Sequence, residues 1–229
     1  MKEILSNDFI SAACDYYWLQ EKEYPQRLVY KVVCDRYKLN KIQRVIIYRG
    51  IFPSRETEKR KLKYLASLTE INLSVDVSNV IFKLANYICG RPVFLSNDKL
   101  LRDAGDAFGK EYSDEILLRS AGLLIDFLAN TSLISAELLI DSPVDGTKLI
   151  RSEIERNQPR FTFPVLVREV YPADHFLEGP EPHAIATADS VVIDKLPFAC
   201  FDIARYILDT KFHPEYLDMS EILKRNQVQ

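Results

Sequence analysis

Ile71–Leu84, INLSVDVSNVIFKL, holds the transition that decides the fold. Apolar residues alternate through Leu73 and Val75 and stop at Asp76; Asn79 follows three residues later, and from Val80 the apolar residues recur at helical spacing. A period of two giving way to 3.6 predicts a buried strand that turns directly into a helix. The acid and the amide at that turn need a reason, because a carboxylate is costly beside a buried segment unless it has a partner.

Downstream the same alternation recurs. Strands are expected at 72–75, 92–95, 137–140, 162–170 and 184–186, with a short one at 191–193. Helices are expected at 80–88, 113–129, 148–157 and 201–208, and another over Asp98–Phe108. Strand, helix, strand in this order predicts an α/β fold with a mostly parallel central sheet, whose ligands bind at the carboxyl ends of the strands. The acids fall at those ends. Asp76 closes LSVD, Asp141 closes AELLID, Asp189 follows HAIATA, and Asp194 follows the short strand beyond. Carboxylates gathered on one sheet edge repel unless a cation sits among them, and an all-oxygen cluster suits Mg²⁺ or Mn²⁺. Such an ion polarises a phosphodiester and lowers the pKa of an attacking water. Each acid taken singly has a second reading, since Asp is also a common cap at a strand-to-helix turn.

Upstream, residues 1–53 read as a small all-helical unit. Ser6 and Asn40 stand at capping positions, Pro25 suits a first helical turn, and Gly50 and Pro53 end the third helix. Leu28, Val32 and Val33 are expected to share one apolar face, and Trp18 is expected in the core. Residues 54–70 form a charged helical connector, and 71–229 the α/β domain. The net charge of −3 conceals an asymmetry: Lys22–Lys63 holds 13 Lys and Arg against 4 Asp and Glu, so the rest of the chain carries −12. A basic helical unit is the electrostatic footprint of a phosphate-backbone binder, with Arg36, Lys41 and Arg44 as candidate contacts. The plainer reading of such a run is a solvated helix face.

The order VDVSNVIF, LLIDSPVDG, IATADSVVID resembles the PIN-like and NYN-like nuclease superfamily. More closely, WLQEKEYPQRLVYKVVCDRYKLNKIQRVIIYRG followed by VDVSNVIF, GRPVFLSNDKLLRDAGDAFG, LLIDSPVDG and ATADSVVID resembles a prokaryotic family of unassigned function that joins a short helical domain to such an α/β domain. The resemblance implies a three-layer PIN/NYN-like fold and a Mg²⁺- or Mn²⁺-dependent nuclease, acting on RNA rather than DNA. Asp76, Asp141 and Asp189 would hold the metal, Asn79 would orient Asp76 or a metal-bound water, and Asp194 would complete the cluster. It also draws NDKLLRDAGDAFGK to the active site, where Arg102 and Lys110 would hold a phosphate. By spacing alone, Arg102 and Asp98 form an intrahelical pair. Two departures stand out: Val77 occupies a position where NYN-like sequences place glycine, and YPADHFL, with Asp174, is the nearest counterpart of an acidic Ala-Asp-Asp turn. A chain that kept the fold and lost the reaction would be a nucleic-acid-binding or regulatory protein instead.

Other classes lack their signatures. There is no Walker A loop, no G-x-G-x-x-G and no G-x-S-x-G. The four cysteines are scattered, without C-x-x-C, as expected of buried thiols in a reducing compartment. The start MKEILSNDF is unlike a secretory signal and no apolar run reaches membrane-spanning length, which predicts a cytoplasmic protein with no membrane partner. A homo-oligomer is compatible with the sequence and not required by it. His183, in the loop LEGPEPHAI, is read as a surface histidine with a general-base role as the alternative.

Overall fold

The computed structural model describes residues 4–109, 111–142 and 146–226. Along the chain run α1 (Asn7–Glu21), α2 (Gln26–Arg36), α3 (Lys41–Gly50), α4 (Ser54–Lys61), β1 (Asn72–Asp76), α5 (Val77–Ile88), β2 (Val93–Leu95), β3 (Leu101–Asp103), α6 (Asp114–Ala129) and β4 (Ser135–Asp141). They are followed by α7 (Thr147–Asn157), β5 (Val165–Val170), β6 (His183–Ala186), α8 (Ser190–Lys195), β7 (Ala199–Cys200), α9 (Ile203–Lys211), β8 (Leu217–Asp218) and α10 (Met219–Asn226). These elements form two compact units, and the division is not a single cut in the chain. The first unit comprises Met1–Leu62, Arg91–Lys110 and Glu215–Gln229; the second comprises Lys63–Gly90 and Glu111–Pro214. The units differ from the expected division at 1–53, 54–70 and 71–229: the boundary falls inside the connector, after Leu62, and two later segments return to the first unit, where they complete its core. None of the helices in the described residues is long and apolar enough to cross a membrane.

In the first unit, Ser6 Oγ accepts from Phe9 N at 3.1 Å and starts α1. Asn40 and Gln43 cap α3 reciprocally: Asn40 Oδ1 accepts from Gln43 N at 2.9 Å, and Gln43 Oε1 accepts from Asn40 N at 3.1 Å. Phe9, Ala13, Tyr16, Val33, Ile46 and Ile47 build a core that also takes in Phe94, Leu217, Met219 and Leu223 from the two returning segments. Three short strands, in the order β3-β2-β8, accompany it. Gly50 shows how tightly this core closes: a Cβ there would lie 2.9 Å from Phe94 Cε2 and 3.0 Å from Met219 Cγ. Gly50→Ala is therefore expected to cost about 1–3 kcal/mol by overpacking, read as a lower urea midpoint at unchanged slope.

Four sequence expectations change here. Trp18 is 58% exposed, and Leu28 and Val32 are 55% exposed, while Val29 and Val33 are buried. Both i, i+4 stripes of α2 are apolar, so periodicity alone does not choose between them. The connector is helical only over Ser54–Lys61, with Leu62 exposed beyond it. The helix expected over Asp98–Phe108 is instead a tight turn, strand β3 antiparallel to β2, and a 3-10 turn at Gly105–Ala107. Lys99 has φ +71°, and Asp98 Oδ1 accepts from Ser96 Oγ and from Leu100 N, the latter at 3.1 Å, which reverses the chain before a helix can propagate.

The second unit carries the α/β fold. Its five strands lie in the order β5-β4-β1-β6-β7, and every neighbouring pair is parallel. From β1 the chain builds outward through β4 and β5 on one side, then returns to build β6 and β7 on the other. The strand order therefore reverses beside β1, between β1 and β6, and an open parallel sheet offers its ligand crevice at such a reversal. β1 is buried along its whole length. Val77, Val80, Ile81 and Leu84 of α5 are likewise buried, each side chain of this size contributing roughly 1.5–3 kcal/mol by leaving water. Helix α6 packs against α5, α7 and α9. The strand expected at 191–193 is helix α8, because Asp189 Oδ1 accepts from Val191 N at 2.8 Å and from Val192 N at 3.4 Å and so starts a helical turn.

Candidate functional site

The turn quoted first is the centre of the site. Asp76 ends β1 and caps α5: its Oδ1 accepts from Asn79 N at 3.0 Å. Its Oδ2 accepts from Thr187 Oγ1 at 3.3 Å, in the segment that leaves β6. Asn79 joins the same two strand ends, because its Oδ1 accepts from Ala188 N at 3.1 Å. That oxygen also accepts from Lys83 Nζ, one turn further along α5, and the ammonium donates to Asn79 O at 3.2 Å. Lys83 is 1% exposed. Thr187 Oγ1 further accepts from Asp189 N at 3.2 Å. Asp76, Asn79, Lys83 and Thr187 thus form one hydrogen-bonded cluster at the reversal between β1 and β6.

The remaining acids border this cluster in different ways. Asp141 ends β4; its backbone N donates to Ser78 Oγ at 3.1 Å, and its Oδ1 accepts from Ala173 N at 2.7 Å. Ala173 opens the 3-10 turn that contains Asp174, so the YPADHFL segment reaches Asp141 through its backbone. Asp189 is exposed and caps α8. Asp194 lies on α8 and is exposed, not at a strand end, because the segment before it is helical. Val77 opens α5 as an ordinary helical residue, and its φ is not positive, so the backbone at this position has no need of glycine.

Electrostatically, Asp76 senses its neighbours. Burial pushes its pKa up to about 6 from 3.8; the bond from Asn79 N and the Lys83 charge pull it down, and the Asp141 and Asp189 charges push it up again. Asp141 and Asp189 are therefore within electrostatic reach of Asp76. Reach is less than coordination: among the described residues, no three His, Cys, Asp or Glu side chains form a group that could hold a metal ion. The Mg²⁺ or Mn²⁺ ligand set expected of Asp76, Asp141 and Asp189 is not assembled in this arrangement, whose acids are engaged by backbone N–H groups and by Thr187.

The other expected site residues lie elsewhere. Arg102 is buried in the first unit, donating to Asp98 Oδ2 at 3.2 Å, with Arg60 on the same oxygen at 2.9 Å. It is a core ion pair there, not a phosphate contact on a loop. Lys110 lies outside the described residues. Arg36 and Lys41 are exposed, as a phosphate contact requires. Arg44 is turned inward, donating to Leu39 O at 2.8 Å and Cys34 O at 3.1 Å and pairing with Asp35 at 2.9 Å, so it holds the end of α2. His183 opens β6 and is buried against Phe198, with ring centroids 4.6 Å apart. Burial lowers its pKa, against the upward pull of Glu181, Glu137 and Glu178. It sits at the opposite end of β6 from Thr187, which removes the general-base alternative at the Asp76 turn.

Lys83, Ser78 and Thr187 are the residues that sequence reasoning missed. The signal for Lys83 was a lone lysine inside VIFKLANYI, an apolar helical run in which a charge has no solvent face to occupy.

Comparison with known proteins agrees with this two-part organisation. The chain is 28% identical over 181 residues to an uncharacterized protein of Methanocaldococcus jannaschii, covering 78% of this chain and 86% of that one. No solved structure matches the chain. Residues 8–63 match the family described as a protein of unknown function, DUF434. Residues 65–206, more than half of the chain, match the family described as a domain of unknown function, DUF5616, and the chain belongs to that family.

Proposed function

We propose that this protein acts on nucleic acid, RNA being the expected class, and that its reactive centre is the carboxyl edge of the sheet around Asp76 in a PIN/NYN-like α/β unit. The observation that carries the reading is the buried Asp76–Asn79–Lys83–Thr187 cluster at the strand-order reversal, with Asp141 and Asp189 in electrostatic reach. This is where an open parallel sheet binds ligands. A carboxylate with a pKa of about 6 can take a proton from water and return it near neutral pH, as general base chemistry needs. Lys83 supplies a fixed positive charge, and Thr187 and Asn79 hold Asp76 in orientation.

The deciding assay follows cleavage of labelled single-stranded RNA and DNA by the full chain in EDTA, Mg²⁺ and Mn²⁺. Product that depends on Asp76 supports a nuclease. Stable complexes without product support the second reading, a nucleic-acid binder, which the engagement of Asp76 and Asp189 as helix caps favours. Either reading expects the exposed cations of the helical unit to contact phosphates. Replacing Lys31, Arg36 and Lys41 together by Ala should weaken RNA binding and flatten the slope of log K against log salt by about two, since each lost phosphate contact removes about 0.7 on a single strand. An unchanged slope places the binding surface elsewhere.

A further inference from the structure

We infer that Lys83 is the built-in cation of the acid edge, occupying with its ammonium the electrostatic role that the resemblance gives to a divalent metal. The inference rests on reading the Asp76 edge as the reactive centre, and it deepens that reading by naming what neutralises it.

Five observations carry it. Lys83 is almost wholly buried, and a buried ammonium is tolerated only where acceptors and opposite charge surround it. Its acceptors include the side-chain and backbone oxygens of Asn79, and its charge acts on Asp76. Positions 76, 79 and 83 follow helical spacing, so cap, amide and ammonium lie along one stripe of α5. The amide of Asn79 cannot turn away freely, because Ala188 N also donates to its oxygen and holds that oxygen toward the lysine. Finally, each carboxylate that a metal would need already accepts a hydrogen bond through at least one of its oxygens. Asp76 is engaged by Asn79 N and Thr187, Asp141 by Ala173 N, and Asp189 by the first turn of α8. A divalent ion entering among them meets a fixed positive charge as well as carboxylates already engaged by the backbone.

The consequence is a trade between lysine and metal. Removing the ammonium leaves Asp76, with the Asp141 and Asp189 charges acting on it, without the positive charge that offsets them, a setting that attracts a divalent cation. Mn²⁺ binding to the full chain, followed by the EPR signal of the free ion, is expected to be weak in the wild type. In Lys83→Gln it should be at least about tenfold tighter, because a unit charge a few ångströms away at an effective dielectric near 20 shifts binding by that much or more. The gain should vanish in the Asp76→Asn, Lys83→Gln double variant. Equal affinity in wild type and Lys83→Gln overturns the inference, as does a gain that survives in the double variant.

A second measurement needs no variant at Lys83 and stands if Lys83→Gln does not fold. In wild-type protein labelled with ¹³C-aspartate, the Asp76 carboxyl resonance, assigned by its loss in Asp76→Asn, should stay in place on adding Mg²⁺ at a concentration that saturates ordinary Mg²⁺ enzymes. A shift of that resonance shows an ion at Asp76 and overturns the inference. Cleavage is scored separately. A chain that never cuts RNA yet shows the Lys83-dependent Mn²⁺ gain loses the nuclease reading and keeps the built-in cation; one that cuts RNA with Mg²⁺ seated at Asp76 does the reverse.

Discussion

Asp76→Asn is expected to lower RNA cleavage by about two orders of magnitude or more, the usual cost of losing a positioned acid or base, while making the folded protein more stable at pH 8. Asn keeps the shape of the side chain and the cap on α5, since an amide oxygen still accepts from Asn79 N. What it removes is the charge. The folded pKa of Asp76 is raised, to about 6 from 3.8, so its protonated form is favoured by folding. The stability linked to this group is fully present below the unfolded value and is lost as pH rises through the folded one. Above pH 7 the wild type has lost it, by roughly 3 kcal/mol for a shift of this size, and the Asn variant has nothing to lose. Urea unfolding of the two proteins at pH 8 and pH 4 is the measurement: the variant should lead at pH 8 and the gap should close toward pH 4. A variant that is both inactive and less stable at pH 8 would mark Asp76 as a structural cap alone.

Asp98→Ala is expected to be the most damaging single change in the first unit, at about 3–5 kcal/mol, the range for breaking a buried ion pair by removing one partner. Asp98 is fully buried between two guanidinium groups: Arg60 donates at 2.9 Å and Arg102 at 3.2 Å to the same oxygen. Both arginines lie over Phe52, at 4.2 and 5.6 Å from its ring centroid, and Arg60 is also tied to Glu56 at 3.0 Å. Without the carboxylate, the facing guanidinium groups repel in a site closed to water. Replacing Arg60 and Arg102 by Met in the Asp98→Ala background should recover part of the loss, because an apolar filling carries no desolvation cost. The pH dependence has the opposite sign to that of Asp76. Burial alone would raise the Asp98 pKa, but Arg102, Ser96 and Arg60 outweigh it and hold the group below its usual value. Its stabilising effect is therefore present above the unfolded carboxylate range and is lost as pH falls through the folded value. Acid unfolding of the wild type below pH 4, with a flatter acid limb in Asp98→Ala, is the expected signature.

Much of this architecture is legible in single segments. The change of period at Asp76, the caps Ser6 and Asn40, and the acids ending AELLID and following HAIATA each report a local event, a strand meeting a helix or a chain leaving a sheet. Such events depend on neighbours a few residues away, so the sequence by itself determined them: a helical N-terminal unit, an α/β unit with a parallel sheet, and a carboxylate at each of three strand ends. Tertiary structure alone decided the rest. Whether Leu28 and Val32 or Val29 and Val33 faced inward depended on where α1 and α3 lay, since both stripes of α2 satisfy the same period. Asp98 and Arg102 read by spacing as an intrahelical pair and became part of a buried triad because Arg60, 38 residues before Asp98, folded onto them. Lys83 is, in sequence, one lysine inside an apolar run, and it became the cation of the acid edge only when β6 brought Thr187 and Ala188 beside α5. A charge is read from sequence as a residue type, whereas its partners and its exposure are properties of the packed chain, and these set whether it caps a helix, seals a core or neutralises a site.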